Sequence, residues 1–422
     1  MVTKKSAILT CAVVVIVSIV ITFVGTSLMM DHRWVRYNGQ VLVNQKEYNQ
    51  LMENAKYLEL LDVLSERYYY GDNADHKALI EGAMHGAANM LGDPYTTYFS
   101  AEEAARYREQ SEGTYSGIGV RVIYDDDLKV HRITGIFTRS PAADVGLQVG
   151  DCMIAAAEGP DGEWVTLIDV PYEAVVDAVS GAQDSLLRLR VMRGEEEVEF
   201  SLARDTVQID QVEWRMLGET GLAYVRIEAF DGNAEVLFKN AITELLAQNA
   251  VGMVLDLRNN PGGRLDTVVN ICDAMMGEGT VLCVRDRAGT EEKYGATGQH
   301  KLKIPYVVLV NESTASAGEV MACAASEIDH APIIGTTTFG KGVGQDFKTF
   351  ADGSMIKYTK FGWYSQSGRS IQGEGLAPNH VVELPEELMQ KPYLLTEEND
   401  TQLQKAIEEL TLLCTADALE AA

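Results

Sequence analysis

The chain has little cysteine for its length and far less positive than negative charge. Six cysteines are scattered over 422 residues: Cys11, Cys152, Cys272, Cys283, Cys323 and Cys414. There is no CxxC pair and no Cys/His cluster, which excludes zinc-type spacing and a disulfide framework. The thiols read as small core residues. Lys and Arg total 35 against 62 Asp and Glu, a formal charge of −27. A surface of that sign argues against nucleic acid or anionic lipid as the main partner. Two catalytic signatures are also missing. Residues Gly335 to Lys341 carry the glycines and lysine of a phosphate-binding loop, but Gly342 stands where a magnesium-holding Ser or Thr is needed. Val343 to Phe350 moreover reads as a strand, not the helix such a loop requires. No G-x-S-x-G elbow occurs. His330 is the nearest histidine to Ser316, but neighbours in sequence seldom make a triad. No internal repeat is evident.

What is present begins with an uncharged apolar run from about Ala7 to Met30, preceded by Lys4 and Lys5 and followed by Asp31. It reaches the roughly 20 residues that span a bilayer as a helix. It exceeds the roughly 7–15 residues of a signal-peptide core, and no A-x-A site follows. Cys11 lacks the leucine expected three residues before a lipoprotein cysteine. The flanking lysines place the N-terminus in the cytoplasm and everything after residue 31 outside it. A cleaved signal peptide is the alternative, and it too exports the rest of the chain.

The length suggests two or three domains, and 46% hydrophobic residues are ample for their cores. Five segments follow from the pattern: an N-terminus and anchor at 1–31, a helical region at 32–112, a β-rich region with two helices at 113–204, an α/β core at 205–385 and a helical tail at 386–422. In the second, Leu79, Ile80, Ala83, Ala87, Met90 and Leu91 keep a helical period that Asp93-Pro94 stops. In the third, strands are expected around 117–122, 130–136, 186–192 and 198–202. Ser140-Pro141 caps a short helix there, and 172–179 is a second helix. In the fourth, the apolar runs 251–257 and 306–310 read as strands inside an α/β sheet, with a helix over 234–247. An acidic amphipathic helix is expected over 397–413.

Three constellations carry chemistry. Gly117-Ile118-Gly119-Val120 enters a strand with backbone N–H groups exposed. Such a loop catches a C-terminal carboxylate while the peptide adds as a strand; alone it reads as a tight turn. Asp256 to Gly263 ends a strand in Pro261-Gly262-Gly263, where glycines let N–H groups turn outward as an oxyanion hole requires; an ordinary turn fits equally. Ser316 lies among small residues at an expected helix start. Lys341 lies in a Gly-rich loop that reads as a flexible seat, with Gln345 four residues on. Taken singly these are a helix cap, a surface lysine and a polar strand residue. Together they supply a nucleophile and a base, provided burial or a nearby positive charge lowers the lysine pKa.

These motifs, in this order, resemble the carboxyl-terminal processing peptidases (tail-specific proteases) of serine peptidase family S41. The similarity extends from about residue 58 to the C-terminus. It includes Glu81-Gly82-Ala83, Leu91-Gly92-Asp93-Pro94-Tyr95-Thr96-Thr97-Tyr98-Phe99, Ser140-Pro141-Ala142, Thr338 to Gly342 and Gly368 to Gly373. The resemblance implies a circularly permuted PDZ domain at 113–204 joined to an α/β Ser-Lys protease core. It makes Ser316 the nucleophile, Lys341 the general base and Gln345 the residue that orients the lysine. Ala317 N–H and a glycine of Gly262-Gly263 would form the oxyanion hole, and Gly117, Ile118, Gly119 and Val120 would hold substrate tails. It implies protein or peptide substrates with accessible C-termini, and neither metal nor cofactor. Oligomeric state and any adaptor stay open. Relatives often carry a basic residue before the glycine that follows the second PDZ helix; here Ser180 precedes Gly181, which puts gating through that position in doubt. Gly318 replaces a serine common in the family motif. The expected whole is a membrane-anchored, extracytoplasmic serine endopeptidase. The alternative is a PDZ peptide-binding scaffold with an inactive protease core.

Overall fold

The computed structural model describes residues 15–20, 35–37, 40–42, 45–70, 75–137, 139–391 and 394–420. Two compact units divide after residue 88. In the first, Val35–Tyr37 pairs antiparallel with Gln40–Leu42, and two helices follow, Gln45–Arg67 and His76–Asn89. The second helix closes where Gly92, at φ 65°, precedes Asp93-Pro94, as expected for a helix ended by glycine and proline. Among the described residues no helix is long and apolar enough to cross a membrane. The apolar run expected to do so lies outside the described residues except for 15–20, which are helical.

The second unit is built on a sheet with the order Val212–Met216, Leu222–Ile227, Gly252–Asp256, Tyr306–Val310, Ile333–Gly335, His380–Val381. Only the first pair is antiparallel. The apolar runs that read as buried strands are the two central ones, and every residue in them is buried. Their alternation sorts the side chains onto two faces. Val225, Leu255 and Val308 meet the helices Ala234–Ala247, Leu265–Asp273 and Ala317–Ile328. Tyr224, Val254 and Val307 meet Leu403, Ala406 and Leu410 of the tail helix Thr401–Glu420. A buried cluster ties that tail to the strand end: Arg258 donates to Asp256, Asp400 and Gln402.

A second sheet runs Glu291–Thr297, Glu278–Asp286, Met355–Tyr364, Val343–Thr349. Thr97–Phe99 adds to it by pairing with Met355–Lys357. The stretch expected to be helical throughout 32–112 thus contains a strand of this sheet as well as the short pair at 35–42. Residues 343–349 form a strand, which leaves no helix after the Gly-rich loop.

Residues 113–204 form an antiparallel sheet ordered Glu196–Ala203, Leu186–Arg193, Cys152–Glu158, Val130–Ile136, Val120–Asp125. Two helices cover it, Pro141–Asp144 and Tyr172–Val179. Ser140 Oγ accepts from Ala143 N–H at the start of the first, as its sequence foretells. Ile118, Ile133, Met153, Val175, Leu187 and Leu189 make the core of this layer. The described cysteines are free thiols.

Candidate active site

Ser316 follows the buried strand Tyr306–Val310 and stands at the N-cap of the helix Ala317–Ile328, with φ 52° and ψ −116°. That conformation is costly for a residue with a Cβ, by about 1–3 kcal/mol, and the surroundings must hold it. Glu319 does so. Its carboxylate is fully buried. Oε2 accepts from Ser316 N–H at 2.9 Å and Lys341 N–H at 2.8 Å. Oε1 accepts from Thr338 Oγ1 at 2.5 Å and Gly340 N–H at 2.6 Å. One oxygen atom therefore fixes the backbone of both Ser316 and Lys341. Glu319 was not singled out from sequence, although Ser316 and Glu319 match the S-x-x-E spacing of a capping box.

The Gly-rich loop is less free than its composition suggests. Beyond the Glu319 bonds, Lys341 C=O accepts from Trp363 Nε1 at 2.9 Å, and Gly342 N–H donates to Gln372 Oε1 at 2.7 Å. Backbone position is thus set and only the lysine side chain is left to move. Its ammonium rests over the Tyr95 ring, 4.8 Å from the centroid, and makes no hydrogen bond to Ser316 or Gln345 among the described residues. Burial, then the positive charge of Lys357, pull the Lys341 pKa down from the usual lysine range; Glu319 and Asp93 oppose this. Gln345 follows a register break in its strand, and its amide donates to Thr359 Oγ1 at 3.4 Å.

Pro261-Gly262-Gly263 leaves the strand Gly252–Asp256 and passes beside Ser316. Buried Asn260 organises it. Asn260 Oδ1 accepts from Gly262 N–H at 2.8 Å, its Nδ2 donates to Ile227 C=O, and its own C=O accepts from Ala315 N–H. Phe230 N–H donates to Gly262 C=O at 2.8 Å, and Arg264 N–H donates to Phe230 C=O. The two glycine N–H groups thereby differ. That of Gly262 is spent on Asn260, whereas those of Gly263 and Ala317 have no acceptor among the described residues. Gly262 has φ 107°, and a Cβ there would sit 2.7 Å from Ser316 Cβ and 3.0 Å from Ala317 N. Gly262→Ala is therefore expected to displace the serine and lower peptide hydrolysis by roughly 100-fold or more while the fold persists. Steady-state rates beside a thermal melt check this, and a rate within a factor of two of the parent would disprove the fit.

Ser316, Ala317, Gly262, Gly263, Lys341 and Gln345 all line one cavity of about 970 Å³. Its floor is apolar, with Val268, Leu282, Val320 and Phe361. Asp231 lines it too, its carboxyl pushed up to about 6 by burial.

The Gly117–Val120 loop lies apart from this cavity. Ile118 is fully buried, and a Cβ on Gly119 (φ 84°) would fall 2.2 Å from Ser140 Cβ. Burial raises the Tyr115 hydroxyl pKa to about 12, opposed by the backbone N–H groups of Gly119 and Val120. Val120–Asp125, which the loop enters, is an edge strand. Next to Ser180, a Cβ on Gly181 would meet the fully buried Arg204 side chain. Arg204 donates to Val179 and Ala178 C=O and pairs with Glu158, which closes the end of the helix Tyr172–Val179.

Comparison with known proteins sets this geometry in context. Residues 221–382 match the model of peptidase family S41, and residues 15–103 match that of the activating protease CtpB N-terminal domain. The carboxy-terminal processing protease CtpA of Bacillus subtilis is 33% identical over 330 residues, 77% of this chain and 68% of that protein. The probable CtpA-like serine protease of Staphylococcus epidermidis is 29% identical over 376 residues, 88% of this chain and 72% of the relative. Among solved structures, a Bacteroides fragilis protein assigned to the S41 proteases aligns with a TM-score of 0.52 at 16% identity. That alignment covers 76% of this chain and 87% of the other, a likeness of fold.

Proposed function

The chain belongs to peptidase family S41 and is a serine endopeptidase of the carboxy-terminal processing type; from that premise we propose that Ser316 is its nucleophile, Lys341 its general base and Gln345 the residue that orients the lysine. The observation that carries this is one cavity lined by these three residues and by two backbone donors, Ala317 and Gly263 N–H, that have no acceptor among the described residues. The lysine side chain leaves the Tyr95 ring and takes the Ser316 Oγ proton as Oγ attacks the scissile carbonyl. Ala317 and Gly263 N–H hold the oxyanion that forms. The lysinium returns its proton to the leaving amine, and water, deprotonated by the same lysine, resolves the acyl-enzyme. Gly262 shapes the hole without donating to it.

Residues 113–204 act as a PDZ domain in this reading. An extended tail adds to the free edge of Val120–Asp125, beneath the helix Tyr172–Val179, with its carboxylate at the Gly119 and Val120 N–H groups. The apolar run before residue 31 anchors the chain in a membrane with the protease outside the cytoplasm. A second reading, a peptide-binding scaffold with an idle core, draws on the Lys341 side chain lying against Tyr95 instead of Ser316.

One pair of measurements tests both. A fluorophosphonate should label Ser316 when a tail peptide is present, and absence of label with and without peptide favours the scaffold. A peptide with a free C-terminal carboxylate should be cut at least about tenfold faster than its amidated form. Equal rates would remove carboxylate recognition from the account.

A further inference from the structure

The candidate cavity holds a second lysine that the dyad does not use. Lys357 lines the same 970 Å³ space as Ser316, Lys341 and Gln345. It sits on the strand Met355–Tyr364 and is half-buried. Its ammonium stands over two rings, 5.2 Å from the centroid of Tyr107 and 5.7 Å from that of Phe99. Among the described residues it has no carboxylate partner. Aromatic faces stabilise a cation without neutralising it, so the charge stays available to act on its neighbours. Burying an uncompensated ammonium beside a second one is costly, which makes the arrangement hard to explain as structural filling.

We propose that Lys357 is a positioning residue of electrostatic kind: its charge, in the cavity it shares with Lys341, favours the unprotonated form of that lysine, the form able to serve as base. The inference rests on Lys341 being the base. Two ammonium groups lining one cavity repel, and the proton leaves first from the one whose loss relieves more strain. Burial lowers the pKa of both lysines, and for Lys341 the Lys357 charge adds to it. With Lys341 as the base, Lys357 is the member of the pair that remains the cation, a state its two ring faces favour.

The charged groups around the pair come from several elements. Facing Lys341 are Glu319 from the helix Ala317–Ile328 and Asp93 from the turn before Thr97–Phe99; both favour the protonated lysine. The Glu319 oxygens are already occupied by four donors, and Asp93 accepts from Tyr95 N–H and Thr96 Oγ1. On the strand beside Lys357, Asp346 is engaged by Lys360 at 2.5 Å, and Lys348 is exposed. From the helix Ala101–Ser111 and the turn after it come Arg108 and Glu112, and from the far wall Asp231, Arg264 and Asp266. Arg264 and Asp266 pair with each other at 2.6 Å.

The test is the pH profile of kcat/KM for a tail peptide, measured on the full chain. Lys357→Met should move the acid limb up by roughly half to one pH unit, a loss of roughly three- to tenfold on that limb. The curve should rejoin the parent at high pH, where Lys341 is neutral in either case. Lys357→Arg keeps the charge and should leave the acid limb where the parent has it. Lys357→Gln repeats the measurement if the methionine variant does not fold. An unmoved limb, an equal loss at every pH, or a rise in KM alone would overturn the proposal, the last by making Lys357 a substrate anchor. Lys341→Ala separates the premise: if it stays active, the base assignment fails whatever Lys357 does.

Discussion

Lys341→Ala and Ser316→Ala should each lower peptide hydrolysis by about 10⁴-fold or more, with melting temperatures close to the parent. In the proposed mechanism Ser316 supplies the bond-forming oxygen, and without a base its hydroxyl stays protonated through the pH range of the cell. The bonds that join the two backbones survive both changes: Glu319 binds the N–H groups of residues 316 and 341, which alanine retains. The double variant should be no slower than the slower single one, because the two act as a unit. Residual turnover should come from the Ala317 and Gly263 donors, which both substitutions leave in place. The pH dependence has a definite sign. A base works when unprotonated, so activity rises with pH through the Lys341 pKa, and burial with the Lys357 charge moves that rise below the ordinary lysine range. Rates, melts and a pH series on purified variants check all three points. More than a tenth of parent activity in either single variant would remove the dyad.

Glu319→Gln should lower activity nearly as far, and unlike the dyad variants it should also lower stability. The carboxylate takes two donors on each oxygen. Glutamine keeps one oxygen, and its amide nitrogen then faces two donors in a site without exposure to water. Either Ser316 and Lys341 N–H or Thr338 and Gly340 lose their acceptor. Each unsatisfied buried group costs about 1–3 kcal/mol, so the loss is on the order of 3 kcal/mol for the pair. Relaxation of Ser316 from φ 52° would recover part of that and at the same time turn its side chain away. Urea melts and hydrolysis assays on Glu319→Gln and Glu319→Ala read both effects. Full activity with a lowered melt would confine Glu319 to folding.

Much of the architecture can be read directly from side-chain pattern. The runs 251–257 and 306–310 are apolar at nearly every position, as strands covered on both faces are. Ser140-Pro141 marks its helix by capping chemistry, and residues 343–349 show too little helical pattern to follow a phosphate loop. Thr97–Phe99 escaped notice because three residues cannot display a period, and its partner, Met355–Lys357, lies more than 250 residues away. The Gly335–Gly342 loop looked flexible because composition reports what a backbone can do alone. Glu319, Trp363 and Gln372, from distant segments, hold it.

The sequence by itself carried the resemblance to the family and offered Ser316, Lys341 and Gln345 as candidates, because short motifs are complete within a few neighbouring residues. Only the tertiary structure decided how they are served. It shows that Asn260 occupies the Gly262 N–H while that of Gly263 has no acceptor among the described residues, that one Glu319 oxygen joins the Ser316 and Lys341 backbones, and that Lys357 brings a second charge into the cavity. The physical reason is distance. Hydrogen bonds and charges act over a few ångströms in space, and the partners here come from strands, helices and loops far apart along the chain.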